Sequence, residues 1–77
     1  MITPKQFRMA RAVLGLTRHG IGKELGISTM TVNRFESGDE SVISLETSKL
    51  AEEWFRDRRV FFGPKNGVCI DQDVFAK

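Results

Sequence analysis

Only one cysteine, Cys69, and one histidine, His19, occur among the 77 residues of this sequence. A lone cysteine cannot form a disulfide within its own chain, which is typical of proteins kept in a reducing compartment. A structural metal site takes several cysteine or histidine ligands at short spacings, and the sequence does not offer such a set. We therefore expect no disulfide, no metal and no other cofactor, with Cys69 buried as a small apolar side chain.

Long apolar runs are missing as well. No stretch approaches the roughly 18 apolar residues that a membrane-spanning helix needs, and no apolar segment after Met1 has the form of a signal peptide. The hydrophobic fraction of 40% and the charged fraction of 29% are those of a folded domain rather than a disordered chain. We expect one cytoplasmic domain without membrane contact, short enough for oligomerisation to add stability.

Acidic residues are scarce in the first half of the chain. Up to Arg34 there is a single acid, Glu24, against the basic residues Lys5, Arg8, Arg11, Arg18, Lys23 and Arg34. The net charge of +2 is small, so the placement of charge matters more than its sum. This asymmetry predicts a basic surface that suits a nucleic acid, with a solvated face of incidental charge as the alternative.

N-cap residues, apolar spacing and glycine stops predict four helices. The predicted N-caps are Thr3, Thr17, Ser28 and Ser44, and the predicted stops of the first three helices are Gly15, Gly26 and Gly38. The fourth helix is predicted to run to about residue 58, and a further helical turn near residues 42–43 is left open. The predicted apolar core is Phe7, Ala10, Val13, Leu14, Ile21, Leu25, Ile27, Val32, Phe35, Leu50, Ala51, Trp54 and Phe55.

Two glycines stand inside the second helix, where each costs about 1 kcal/mol relative to alanine. At Gly22 we expect the third helix to approach so closely that a side chain would have little space. Gly20 has no comparable explanation in the sequence, so this helix is expected to be weak.

After residue 59 the helical spacing gives way to two short apolar segments, residues 60–62 and 68–70. The Asn66-Gly67 pair between them is a strong hairpin signal. An isolated hairpin is marginal in water, so this one must pack on the helices or on a second subunit. The predicted fold is mainly α: a compact four- to five-helix, repressor-like helix-turn-helix domain at 1–59 and a short C-terminal β-hairpin with a tail at 60–77, together one domain.

The segment "GISTMTVNRFESG", residues 26–38, is the most informative part of the chain. The turn at residues 26–28 is too short for its two helices to lie antiparallel, so they should cross steeply as a helix-turn-helix. With Val32 and Phe35 in the core, the third helix is predicted to expose Thr29, Met30, Asn33 and Arg34. Such a helix fits the major groove of DNA.

The chemistry of these four side chains suits the edges of bases. Arginine can donate two hydrogen bonds to guanine, asparagine can pair with adenine, and the methyl groups of threonine and methionine can touch the methyl of thymine. At the start of the second helix, free backbone amides, the positive end of the helix dipole and Arg18 suit a phosphate. We therefore predict base contacts from the third helix and phosphate contacts from the second.

Three segments resemble the phage repressor and Cro-type helix-turn-helix family, also called the Xre family. They are "ARAVLGLT" at 10–17, "KELGIS" at 23–28 and "TVNRFESG" at 31–38. The likeness covers residues 3–58, and "VFF" at 60–62 continues it as a short closing strand. The resemblance implies a sequence-specific regulator of transcription that binds double-stranded DNA in a prokaryote or a phage.

The resemblance also implies roles for single positions. Family members usually have a phosphate-gripping glutamine where Arg18 stands and alanine where Gly22 stands. They contact the DNA backbone through the loop after the third helix, which Ser37 and Gly38 match, whereas Asp39 and Glu40 beyond it would repel phosphate. Together with the helix starts, the predicted phosphate-binding residues are Thr17, Arg18, His19, Ser28, Thr31, Ser37 and Gly38.

The expected assembly is a homodimer on a palindromic operator, with the third helix (28–37) of each subunit in the major groove. Such a protein would be found on the nucleoid and would regulate its own promoter. RNA polymerase or another protein would be a further partner. The fourth helix and the hairpin are the candidates for the dimer interface, and its predicted residues are Trp54, Val60, Phe61 and Phe62.

Two other classes of protein bear on this interpretation. A protein-interaction module on the same fold, for example the antitoxin of a toxin–antitoxin pair, is the alternative. An enzyme is not expected, because no nucleophile elbow, phosphate loop or carboxylate pair occurs and so small a domain has little room for a substrate cavity. Glu36 is expected to form a structural ion pair, with Arg11 as its candidate partner.

Overall fold

The computed structural model of the chain describes residues 1–70, and residues 71–77, the predicted tail, lie outside the described part. Over residues 1–70 the fold is mainly α, as the sequence predicts, and a two-stranded antiparallel sheet follows the helices. The elements in chain order are α1 (Pro4–Val13), α2 (Arg18–Leu25), α3 (Thr29–Glu36), a 3₁₀ turn (Glu40–Val42), α4 (Leu45–Arg56), β1 (Val60–Phe62) and β2 (Val68–Ile70). None of these described helices is long and apolar enough to cross a membrane.

The predicted capping box at the start of α1 is confirmed. The Thr3 hydroxyl accepts a hydrogen bond from the Gln6 amide at 3.2 Å, and Gln6 Oε1 accepts one from the Thr3 amide at 3.0 Å. The Gln6 side-chain amide also donates to the backbone carbonyls of Gly63 and Gly67, at 2.9 and 3.0 Å. One glutamine thus caps α1 and fastens the hairpin turn onto it, which is why it is only 3% exposed.

The core lies between the helices and β1. Its buried residues are Ile2, Phe7, Ala10, Ile21, Leu25, Val32, Phe35, Ile43, Ala51, Phe55 and Val60. Leu14, Leu16, Ile27, Trp54 and Phe62 are partly buried against them. Since Val60 and Phe62 join the helical core, the hairpin packs on the helices of its own chain, as one of the two predicted arrangements requires.

The prediction that Val13 and Leu50 belong to the core is wrong. Val13 is 39% exposed because α1 ends there, and Leu14 and Leu16 pack onto the core instead. Leu50 is 48% exposed because α4 turns Ser48, Ala51 and Phe55 inward. The buried Ser48 hydroxyl accepts a hydrogen bond from the Ile2 amide at 2.9 Å, which accounts for a polar side chain at this core position.

The close approach predicted at Gly22 is confirmed. A β-carbon built there would lie 2.8 Å from the Ile27 carbonyl oxygen and 3.4 Å from Val32 Cγ2. The space at position 22 is therefore too small for the alanine side chain that the family resemblance implies there. At Gly20 the nearest atom would be the Thr17 hydroxyl oxygen at 3.1 Å, a contact that a shift of a few tenths of an ångström relieves.

We expect Gly22→Ala to lower the free energy of unfolding by about 1–2 kcal/mol, because the cost of overpacking exceeds the gain in helix propensity. The matched control is Gly20→Ala in the same helix, which should leave stability unchanged or raise it by up to about 1 kcal/mol. Urea denaturation followed by circular dichroism measures both. Equal stability of the two variants would contradict the close approach at Gly22.

The hairpin pairs Val60 with Ile70, Phe61 with Cys69 and Phe62 with Val68. Alternation along β1 turns Val60 into the core, where it is fully buried, and leaves Phe61 39% exposed. Cys69 is opposite Phe61 and is exposed too. The prediction of a buried Cys69 is therefore wrong, because in this register it belongs to the outer face of the sheet.

Candidate nucleic-acid interface

The turn between α2 and α3 is fixed by backbone hydrogen bonds. α2 ends at Leu25 and is capped by Gly26, whose φ of 72° is in the left-handed region that glycine tolerates. The Ile27 amide then donates to the Gly22 carbonyl at 2.9 Å, and Ser28 caps α3 by accepting from the Thr31 amide at 3.0 Å. Three residues, 26–28, therefore separate α2 from α3, and α3 packs directly against Gly22.

One side of α3 is buried and the other is free. Val32 and Phe35 are at most 1% exposed, whereas Met30 is 64% exposed. Asn33, Arg34 and Ser37 are also exposed and follow Met30 at helical spacing, so these four side chains form one stripe. We call it the α3 stripe: Met30, Asn33, Arg34 and Ser37. Its C-terminal half borders an open, shallow groove of about 580 Å³, which Asp39 also lines.

Thr29 is placed differently from the other predicted base-contacting residues. It is half-buried, and its hydroxyl oxygen lies 3.2 Å from Nδ1 of His19, one of the predicted phosphate-binding residues. This hydrogen bond joins the first turn of α3 to the first turn of α2. Thr29 is therefore a link between the two helices at the margin of the stripe, and its methyl group is the part left for other contacts.

Several hydroxyl groups are predicted to bind phosphate. In the structure they form hydrogen bonds at the ends of α2 and α3. The Thr17 hydroxyl accepts from the Gly20 amide at 2.9 Å, and the Ser28 and Thr31 hydroxyls are 2.8 Å apart. The Ser37 hydroxyl donates to the Asn33 carbonyl at 2.8 Å, and Gly38 follows with a φ of 112°. These bonds order the ends of α2 and α3, and each hydroxyl keeps capacity for a further contact.

The first turn of α2 presents free donors. The first amides of a helix have no acceptor within that helix, and here Thr17 takes those of Gly20 and Ile21. In the part of the chain that the structure describes, the amides of Arg18 and His19 have no hydrogen-bond acceptor. Both side chains are exposed beside them. This turn can therefore hold an anion at the positive end of the helix dipole.

A cluster of three charges lies behind this turn. Arg11 Nε donates to Glu36 Oε2 at 2.7 Å and Arg11 Nη2 to Glu36 Oε1 at 3.0 Å, so the predicted pair of Arg11 and Glu36 is confirmed. Arg18 Nε also donates to Glu36 Oε1, at 3.3 Å. This contact was not predicted, because 18 residues separate the two positions and no local spacing pattern marks it.

Asp39 lies at the end of the α3 stripe, beside Arg34. Its carboxylate accepts hydrogen bonds from the side chain and the backbone of Ser41. Those bonds, and then the charge of Arg34, hold the pKa of the Asp39 carboxyl below its ordinary value. Asp39 is therefore ionised at neutral pH and repels phosphate at the end of α3, as its sequence position predicts.

The predicted dimer residues fall into three different environments. Val60 is fully buried in the core of its own chain and offers no surface to a second copy. Phe62 and Trp54 are partly buried, and the Arg58 guanidinium covers the Trp54 ring at 3.5 Å from its centroid. Phe61 is the exposed member of the set at 39%. A dimer contact at the hairpin would therefore depend on Phe61.

Comparison with known proteins finds no relative of this chain. No protein-family model, no curated protein and no solved structure matches the chain. The function of the α3 stripe and of the first turn of α2 therefore has to be inferred from their own side chains.

Proposed function

We propose that the protein is a sequence-specific double-stranded DNA-binding regulator of transcription that resembles the Xre family. The observation that carries this proposal is the α3 stripe. It is a row of exposed side chains able to contact bases, on a helix whose opposite side is fixed in the core. A row of this width matches the major groove, which admits one helix.

The first turn of α2 supports the same proposal. A phosphate held by the amides of Arg18 and His19 would fix α3 in the adjoining groove, since contacts to the DNA backbone position a protein while base contacts give specificity. The His19–Thr29 hydrogen bond fixes the relative position of the two contact regions. Within the stripe, Arg34 and Asn33 have the strongest capacity to discriminate bases and Met30 suits the methyl of thymine.

The proposed assembly is a homodimer on a palindromic operator, acting in the cytoplasm on the nucleoid. Two copies of α3 would enter successive major grooves about 34 Å apart. Phe61, on the exposed side of β1, is the residue that we assign to the contact between copies. Binding, rather than catalysis, is the proposed activity.

Selection of bound duplexes from a random pool tests the proposal directly. A regulator of this kind should enrich a palindrome whose half-sites are centred about one helical turn apart. Sedimentation of the protein alone and with the enriched duplex then gives the number of subunits. Recovery of a random pool without enrichment would contradict the proposed sequence-specific binding.

Arg34→Ala should weaken binding to the enriched duplex by about 1–3 kcal/mol and relax the preference at one base pair in each half-site. The reason is the loss of two hydrogen bonds to a guanine edge. Titration of the enriched duplex and of a set of single-base variants measures both effects. Arg56→Ala, an exposed arginine at the end of α4, is the control with the same change in net charge. An equal loss on every duplex would remove Arg34 from the base-contacting residues.

A further inference from the structure

The cluster of Arg11, Glu36 and Arg18 joins three helices through one carboxylate. The side chain of Glu36 is 3% exposed, that of Arg11 15% and that of Arg18 49%. Arg11 occupies both carboxylate oxygens from the inner side and also donates to the Leu16 carbonyl through Nη1 at 2.9 Å. The Glu36 carboxylate is therefore held in one position before Arg18 reaches it.

Arg18 meets this carboxylate through Nε alone. Within residues 1–70 its two Nη groups have no acceptor, and about half of the side chain is exposed. A guanidinium held at Nε keeps its two Nη groups on its outer edge, where they form the fork that suits a phosphate. The same residue supplies one of the two free amides at the start of α2.

The charges of the cluster leave a surplus on the outside. Two arginines share one glutamate, so the cluster carries one net positive charge, and the exposed arginine is the outer one. Glu36 therefore does not cancel the attraction of this surface for a phosphate. Its carboxylate neutralises the partly buried Arg11 and still accepts a hydrogen bond from Arg18.

We propose that Glu36 is a positioning residue, which holds Arg18 through Nε so that the Nη groups and the backbone amide of Arg18 meet the same DNA phosphate. This inference rests on the proposed function. Its physical consequence is preorganisation: a free arginine side chain loses rotamer freedom when it binds, whereas one already held loses less. An anchored arginine differs here from a lysine, which carries the same charge but has no Nε–H to anchor.

The test compares Arg18→Lys with Arg18→Gln, each titrated with the enriched duplex and a scrambled duplex over a series of salt concentrations. Arg18→Gln should weaken binding to both duplexes and reduce the salt slope by about 0.9, the value for one phosphate contact. Arg18→Lys should keep the slope of the wild type but lose about threefold to tenfold in affinity, the equivalent of one hydrogen bond. Arg8→Lys, at an exposed arginine on α1, is the matched control and should change neither quantity.

A second measurement observes the anchor without DNA. Hydrogen exchange at the arginine Nε positions, followed by ¹⁵N NMR on the full chain, should show a slower rate at Arg18 than at Arg8. A rate at Arg18 equal to that at Arg8, or an affinity of Arg18→Lys equal to that of the wild type, would overturn the role of Glu36 while the wild type still binds its enriched duplex. Failure of the wild type to bind any duplex would overturn the proposed function together with this inference.

Discussion

Glu36→Ala is expected to lower the free energy of unfolding by about 2–4 kcal/mol, because it removes one partner of a partly buried ion pair with two hydrogen bonds. Arg11 would remain inside with nothing to balance its charge. The hydrogen bond from Arg11 to Glu36, and then the charge of Glu36, raise the Arg11 pKa above its ordinary value, against the opposing effect of burial. Even without Glu36 an arginine stays protonated in proteins, so the variant cannot relieve the strain by losing a proton.

Small domains have only about 5–15 kcal/mol of total stability, so this loss removes a large share of it. Denaturation in urea, with the helix signal at 222 nm, gives the free energy. Glu53→Ala on the exposed side of α4 is the matched control, since the same atoms are removed from a helix at a solvated position. That variant should remain within about 0.5 kcal/mol of the wild type.

A double substitution separates the charge from the packing. Arg11→Met with Glu36→Leu replaces both charges by apolar side chains of similar length, and replacements of this kind are often neutral or stabilising. We expect the double variant to be more stable than Glu36→Ala alone. A double variant as unstable as Glu36→Ala would contradict an unpaired charge as the main cost, because the double variant has no such charge. Its own cost includes the lost hydrogen bond from Arg11 to the Leu16 carbonyl.

The elements that the sequence predicts correctly are those with local chemical signals. Thr3, Thr17, Ser28 and Ser44 all cap the helices predicted for them, because an N-cap hydroxyl and the amide it accepts from are only three residues apart. The hairpin turn is equally local, although the hydrogen bond from the Gly67 amide to the Pro64 carbonyl makes Lys65 and Asn66 its central residues, one position before the predicted Asn66-Gly67 pair. The exposure of Met30, Asn33 and Arg34 follows from the burial of Val32 and Phe35 within the same helix, whereas Thr29, also predicted to be exposed, is half-buried.

The features that the sequence does not reveal are contacts between distant residues. Gln6 reaches a carbonyl 57 residues away, and Ser48 accepts from an amide 46 residues away. Such contacts decide which polar residues are buried, and Ser48 therefore takes a core position that spacing alone gives to Leu50. Cys69 is exposed for a similar reason, because the register with Phe61 is set by the partner strand. The hydrogen bond from Arg18 to Glu36 is likewise a contact between residues that are distant in the sequence.

Phe55→Ala is expected to lower the free energy of unfolding by about 3–5 kcal/mol, the cost of removing a large aromatic side chain from a closed core. Phe55 is fully buried and makes edge-to-face contacts with three rings. The ring centroids of Phe7, Trp54 and Phe62 lie 5.8, 5.3 and 5.7 Å from that of Phe55. The substitution therefore loosens α1, α4 and β1 at once.

Phe61→Ala is the matched control, because it removes the same atoms from a half-exposed position in the adjacent strand and should cost less than about 1 kcal/mol. Both variants are compared by urea denaturation at low protein concentration, where association between copies adds least to stability. Trp54 fluorescence reports on the site directly, since Phe55 packs against its ring, and its emission should change in Phe55→Ala but not in Phe61→Ala. Equal losses in the two variants would mean that the hairpin is not fixed to the helices through Phe55. The hairpin would then have to be held by Gln6 and by a second copy of the chain, and the stability of the wild type would rise with its concentration.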